Sequence, residues 1–297
     1  MVLRDVSDEP PLLTRAEDGV ELALYRARAA VPRAAAPPLL FVHGTFSNRT
    51  FFLGSGARGL ARYLAERGFD AWVAELRGHG RSGALGSTSA WHFEDWIRLD
   101  APALVRGVLG ASGAEQLIWI GHSAGGVIGV AHGGLSTLNA GRIAGLVLAG
   151  SPAPTAAGLL HVPLAVIGYG ITHLFGRFPA RALRIGPEDE HPGIMGQWME
   201  WNVRGRWIGT DGTDYLAGAR RITAPALALA GSGDVIAPPR ACGRLLDALG
   251  SRDRTLTTCG RRHGFSENFT HDRVLTSTSA RREVWPLIAD WLEQRFG

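Results

Sequence analysis

Six short, β-rich runs constrain the fold of this chain more than any other feature: "LLFVHG" (39–44), "AWVAEL" (71–76), "LIWIGH" (117–122), "GLVLAG" (145–150), "ALALAG" (226–231) and "RTLTTCG" (254–260). Most are continuously apolar, as strands buried on both faces are, and most end at or near a glycine, where a strand can turn sharply. Longer helix-like segments fill the gaps, among them "GARGLARYLAERG" after the first run and "EVWPLIADWLEQRF" at the C-terminal end. The alternation predicts a parallel sheet covered by helices on both faces. Upstream, "LLTRAEDGVELALYRAR" reads as two alternating strands around "EDG", a hairpin that adds an antiparallel N-terminal edge. The expected class is therefore α/β with a mostly parallel central sheet.

The spacing of the runs breaks once. Residues 151–225 separate the fourth run from the fifth, far beyond an ordinary strand-to-strand crossover. The expected organisation is a core of residues 1–150 and 226–297 with a helical cap, residues 151–225, inserted over the C-terminal edge of the sheet. The cap carries the apolar stretch "LLHVPLAVIGYGITHLF" and a tryptophan trio in "GQWMEWNVRGRW".

With 297 residues, 45% of them hydrophobic and 20% charged, the chain can bury one sizeable core. Its N-terminal stretch is acidic and proline-bearing, without an apolar run of signal-peptide or membrane-spanning length, so a cytoplasmic location without integral membrane association is expected. Two cysteines, Cys242 and Cys259, suggest free thiols rather than a disulfide framework, and no Cys/His cluster has metal-ligand spacing. All basic residues are arginine, and they occur as scattered pairs, which fits solvated surface better than a nucleic-acid face. Neither a phosphate loop nor a dinucleotide fingerprint is present, so no cofactor is expected.

The third run leads into "GHSAG" (121–125) and then "AGGVIGVAHGG", a strand, tight turn and helix around G-x-S-x-G. Glycines two before and two after Ser123 allow backbone and helix to pack closely while the hydroxyl is pushed out above the sheet. A serine in that position reads as a nucleophile, which needs a base to take its proton and a carboxylate to orient the base. Asp234 in "AGSGDVIAPP" follows the fifth run and is the candidate acid; a turn aspartate is its plainer reading. Beyond the last run both His263 and His271 could serve as base, and His263 lies nearer the strand end. An oxyanion would need N–H donors, assigned to Ala124 after the nucleophile and to Thr45 in "VHGTFSN", with Phe46 as the alternate. Met195, Trp198 and Trp201 fall on one helical face of the cap and are candidates for lining an acyl pocket, although such a stripe also serves simply to seat a helix.

On these residues the chain resembles the α/β-hydrolase superfamily, and within it serine esterases and lipases related to acid (gastric-type) lipases and their bacterial relatives. "FVHGTFSN", "GFDAWVAELRGHGRS", "FEDWIRLDAPALV" and "LIWIGHSAGG" follow in the order and spacing of that group. "THDRVLTSTSARREVWPLIADWL" looks like its C-terminal segment, which implies His271 as the base and leaves His263 as runner-up. The resemblance implies hydrolysis of a small-molecule carboxylic ester through an acyl-enzyme. Thioester or amide cleavage, C–C hydrolysis and perhydrolysis on the same residues are the enzymatic alternatives, and a ligand receptor that kept the scaffold is the non-catalytic one.

Overall fold

The computed structural model describes residues 10–33, 35–54, 58–83, 91–155, 170 and 177–297. Eight strands form one sheet: β1 (Leu12–Arg15), β2 (Glu21–Ala27), β3 (Leu39–Val42), β4 (Ala71–Ala74), β5 (Leu117–His122), β6 (Ile143–Ala149), β7 (Ala226–Gly231) and β8 (Arg254–Cys259). Their spatial order is β1-β2-β4-β3-β5-β6-β7-β8. From β3 to β8 every neighbouring pair is parallel, while β1 and β2 run antiparallel at one edge. All six runs picked out in the sequence are strands, and "EDG" is the hairpin turn between β1 and β2.

The continuous apolar character of the central runs has a direct cause. Every residue of β3, β5 and β7 is buried, because helices cover both faces. Successive side chains alternate between two cores. Leu40, Val42 and Trp119 belong to one, and Leu39, Phe41, Ile118 and Ile120 to the other. Truncating a side chain such as Phe41, fully buried in the second core, costs roughly 3–5 kcal/mol through lost transfer energy and the cavity left behind. β8 departs from the pattern: Arg254, Thr255 and Leu256 are exposed, as expected of an edge strand.

Order along the sheet also decides where a ligand can sit. After β3 the chain moves outward to β4, then returns past β3 to form β5, so the loops leaving β3 and β5 diverge. A parallel sheet opens a crevice at such a reversal, beyond the carboxyl ends of its strands. Residues 43–49 and Ser123 lie there.

The helix Ala124–Leu135 begins immediately after Ser123 and is buried along nearly all its length. The C-terminal helix, Thr278–Phe296, starts earlier than its apolar pattern suggests, because the Ser277 side chain accepts the Ala280 N–H and caps it. In the long connection between β6 and β7, the helix Pro192–Arg204 opens with a proline and closes on left-handed Gly205 (φ 61°). The apolar stretch 159–175 expected in the cap lies, apart from Gly170, outside the described residues.

Two polar clusters tie this connection to the core. Glu94, buried near the sheet, accepts hydrogen bonds from Tyr215 Oη (2.6 Å), Gln197 Nε2 (2.7 Å) and the Thr210 N–H (2.9 Å). Burial works against its charge, but these donors more than offset it and hold its pKa below the usual carboxylate value. The second cluster joins Glu190 to His79 and Phe46, and lies beside the crevice.

Candidate active site

Ser123 occupies a conformation that few non-glycine residues adopt, with φ 52° and ψ −123°. Such a backbone costs about 1–3 kcal/mol and persists only when its surroundings enforce it. Here the enforcement is close packing: the Ser123 N–H donates to the Ala149 carbonyl at 2.9 Å, and a Cβ on Gly125 would run into the Val42 carbonyl. The glycines of G-x-S-x-G are thus places where backbone meets backbone.

His271 reaches this serine from the loop after β8. Its Nε2 is 2.9 Å from Ser123 Oγ, and its Nδ1 is 2.7 Å from Asp234 Oδ2. With a carboxylate accepting at Nδ1, the neutral ring keeps its proton there and leaves Nε2 to accept from the hydroxyl. The Asp234 side chain is fully buried, and its other oxygen, Oδ1, accepts the N–H groups of Ile236 and Ala237, both at 2.8 Å. Turn aspartate and partner of the histidine are therefore roles of the same residue, divided between its two oxygens. His263, the runner-up, sits exposed on a short 3₁₀ turn, Arg261–His263, and makes no hydrogen bond to Ser123 or Asp234.

Two further histidines hold this arrangement, and sequence reasoning missed the part they play. His122 is buried, stacks on Phe51 (ring centroids 4.2 Å apart) and donates from Nε2 to the His271 carbonyl at 3.2 Å. Burial, with His271 nearby, depresses its pKa well below the ordinary value, so it stays neutral. His43, read from the sequence as a packing residue, donates from Nδ1 to the Gly44 carbonyl at 2.8 Å and accepts the Leu76 N–H at Nε2 (3.2 Å). Burial, and next the proximity of His79, lower its pKa to about 3. The only advance signal for either was adjacency to a glycine turn.

The Gly44 carbonyl and the Thr45 N–H belong to one peptide plane, so His43 also fixes the direction of that N–H. Gly44 lies against the serine: a Cβ there would sit 2.7 Å from Ser123 Cβ. Neither the Thr45 N–H nor the Ala124 N–H donates to another group among the described residues, the latter because the first N–H groups of a helix have no partner within it. Phe46, the alternate donor, instead points its N–H at Glu190 Oε2, 3.4 Å away.

Met195 and Trp201 are buried, and Trp198 is partly so. Trp198 stacks on Phe93 (5.4 Å, 21°), and Trp201 meets Phe93 edge-on while its indole N–H donates to the Ile208 carbonyl. These contacts belong to the seating of the helix Pro192–Arg204 on the core. "RGHGRS" braces its surroundings, with buried Arg77 paired to Asp100 (2.7 Å) and Asp18 (2.7 Å). Both cysteines are free and buried.

Among the described residues, one group has ligand atoms close enough to share a cation: His122, His271 and Asp272, within 4.8 Å of one another. Both ring nitrogens of His271 are already engaged by Ser123 and Asp234, so a cation could bind there only by breaking those contacts. No helix among the described residues is long and apolar enough to cross a membrane.

Comparison with known proteins agrees with this architecture. Residues 37–169, which include the β3 loop and Ser123, match the family described as alpha/beta hydrolase fold. Human lipase member N is 31% identical over 128 residues, covering 38% of this chain and 31% of that protein. Human lysosomal acid lipase/cholesteryl ester hydrolase is 30% identical over 129 residues, covering 39% and 32%. The matched segment thus spans about a third of the length of these curated relatives. Among solved structures, a thermophilic esterase from Thermogutta terrifontis superposes with a TM-score of 0.63 at 16% identity, over 97% of this chain and 100% of that one. A monoacylglycerol lipase from Paleococcus ferrophilus superposes with a TM-score of 0.60 at 21% identity, over 92% and 99%. Strand order, the turn at Ser123 and the superpositions converge on the α/β-hydrolase fold, and the matched stretch of sequence is similar to lipases and esterases.

Proposed function

We propose that this chain is a serine hydrolase that cleaves carboxylic esters of small molecules through an acyl-enzyme. The observation that carries the reading is the chain of contacts Ser123 Oγ–His271 Nε2–Asp234 Oδ2, at 2.9 and 2.7 Å, on a strained turn at the mouth of the crevice. A hydroxyl is a weak nucleophile until a base removes its proton as it attacks. His271 is within reach to take that proton, and Asp234 orients the ring and stabilises the imidazolium that results.

Ser123 Oγ adds to the ester carbonyl, whose oxygen becomes an oxyanion received by the Thr45 and Ala124 N–H groups. His271 then returns its proton to the departing alcohol, and the carbonyl re-forms as the acyl-enzyme. Water repeats the sequence with the same base, releasing the acid and restoring Ser123. His43 and Gly44 bring one oxyanion donor to the site, and the turn at Ser123 brings the other.

Esters are preferred over thioesters and amides because the relatives, including Arabidopsis triacylglycerol lipase 1 and yeast sterol esterase 2, are named for ester substrates. In this reading residues 151–225 form the cap over the crevice. Hydrolysis of p-nitrophenyl esters from acetate to palmitate, by wild type and Ser123→Ala side by side, tests the proposal. Turnover in wild type that disappears in the variant is the expected result. Equal rates in both proteins would remove Ser123 from the chemistry, and retained ligand binding without turnover or fluorophosphonate labelling would favour a receptor.

A further inference from the structure

Glu190 is 1% exposed, and a carboxylate so deeply buried needs partners that repay its desolvation. Its Oε2 lies 3.3 Å from Nε2 of fully buried His79 and 3.4 Å from the Phe46 N–H, while Oε1 accepts the His191 N–H at 3.1 Å. The contact with His79 is at ion-pair distance, charged on both sides when His79 is protonated, and is not an aligned hydrogen bond. Burial works against charge on His79, yet the carboxylate of Glu190, with Glu188 farther off, more than offsets it and raises its pKa. The other rings facing His79 are those of His43 (5.0 Å) and Trp96 (5.7 Å).

Phe46 is where this pair acts. Its φ is 63°, a left-handed conformation that a bulky residue rarely adopts unaided. Three contacts hold it: its N–H points to Glu190, its carbonyl accepts the Glu188 N–H (3.1 Å), and its ring stacks on Phe178 (4.9 Å, 27°). All three partners come from the long β6–β7 connection. Phe46 is also the residue after Thr45, so its conformation controls how the β3 loop leaves the serine.

We propose that the buried His79–Glu190 pair is a positioning device for the oxyanion loop: Glu190 engages the Phe46 N–H, keeps Phe46 left-handed, and so leaves the Thr45 N–H directed at the reacting carbonyl. The inference rests on the ester-hydrolase function proposed for Ser123. It assigns His79 a separate part, because a carboxylate engaged with the oxyanion loop would oppose the developing oxyanion, and His79, 3.3 Å from that carboxylate, offsets its charge when protonated.

The test uses the full-length protein and two probes, an ester turned over by wild type and a boronic acid that binds Ser123 as a tetrahedral adduct. Glu190→Ala is expected to lower kcat by at least about 10-fold, as a displaced oxyanion donor does, with KM within about 2-fold, and to weaken boronic acid binding in parallel. Glu190→Gln, which can still accept the Phe46 N–H, recovers most of the lost rate. If Glu190→Ala does not fold, His79→Gln is read the same way. A folded variant whose kcat stays within about 3-fold of wild type, or whose lost rate is not accompanied by weaker boronic acid binding, overturns the proposal. Absence of Ser123-dependent turnover in wild type overturns instead the ester-hydrolase function on which it rests.

Discussion

His122 donates its Nε2–H to the backbone carbonyl of His271 at 3.2 Å, so the residue that precedes Ser123 carries the backbone of the histidine that reaches its hydroxyl. The ring is clamped from the other side by Phe51, 4.2 Å between centroids. Removing it frees His271 to drift relative to both Ser123 and Asp234. His122→Ala is expected to reduce kcat by roughly 10- to 100-fold, the scale of a small misplacement of a catalytic group. Steady-state kinetics at matched folded fraction check this, and a rate unchanged by the substitution would show that the loop holds His271 without help.

The two histidines of the last loop separate cleanly. His271→Ala is expected to lower kcat by about 10⁴-fold or more, as removal of the base does in such constellations. His263→Ala is expected to stay within about 2-fold, since its side chain is exposed and contacts neither Ser123 nor Asp234. Burst kinetics with a p-nitrophenyl ester distinguish loss of acylation from loss of folded enzyme.

Acid stability depends on imidazoles held neutral inside the protein. His132 is a buried residue of the helix Ala124–Leu135, where burial, more than any other cause, lowers its pKa from 6.5 to about 4. The unfolded chain therefore binds a proton there that the folded one does not, and the stability contributed by the neutral ring falls as pH drops from about 6.5 towards 4. At pH 5.5 the loss from this site is on the order of 1 kcal/mol. Urea denaturation at pH 7.5 and 5.5 should show a smaller difference for His132→Gln than for wild type; an identical difference would mean that the ring titrates normally.

The Glu94 cluster is expected to matter for stability and not for chemistry. Glu94→Ala strands the Tyr215 hydroxyl, the Gln197 amide and the Thr210 N–H, and should destabilise by roughly 2–4 kcal/mol. Because its folded pKa is depressed below 4.5, the contribution is present above that value and is lost as pH falls through the folded one. Denaturant titration of the variant, with kcat measured on the folded fraction, separates the two effects.

Strands were legible because burial on both faces writes itself as uninterrupted apolar sequence, which is why β3, β5 and β7 coincide with the runs that announce them. The turn at Ser123 was legible for a related reason: packing backbone against backbone demands glycine at fixed places. The choice of histidine was not legible from spacing, which favours His263. It depends on the chain after β8 crossing back so that the Gly233 N–H meets the Phe269 carbonyl at 2.9 Å, a contact that sets His271 beside Asp234. The left-handed Phe46 was equally hidden, since Glu190, which engages its N–H, lies 144 residues farther along the chain.

The backbone at Ser123 bears on durability as well as on reactivity. Alanine there removes the hydroxyl but inherits the awkward torsions, whereas glycine accepts them without steric penalty. A Ser123→Gly protein, which lacks the proposed nucleophile, is therefore expected to outlast both wild type and Ser123→Ala on heating. Evolution would then be maintaining the serine against folding stability, and the sturdiest version of this molecule would be one that does nothing.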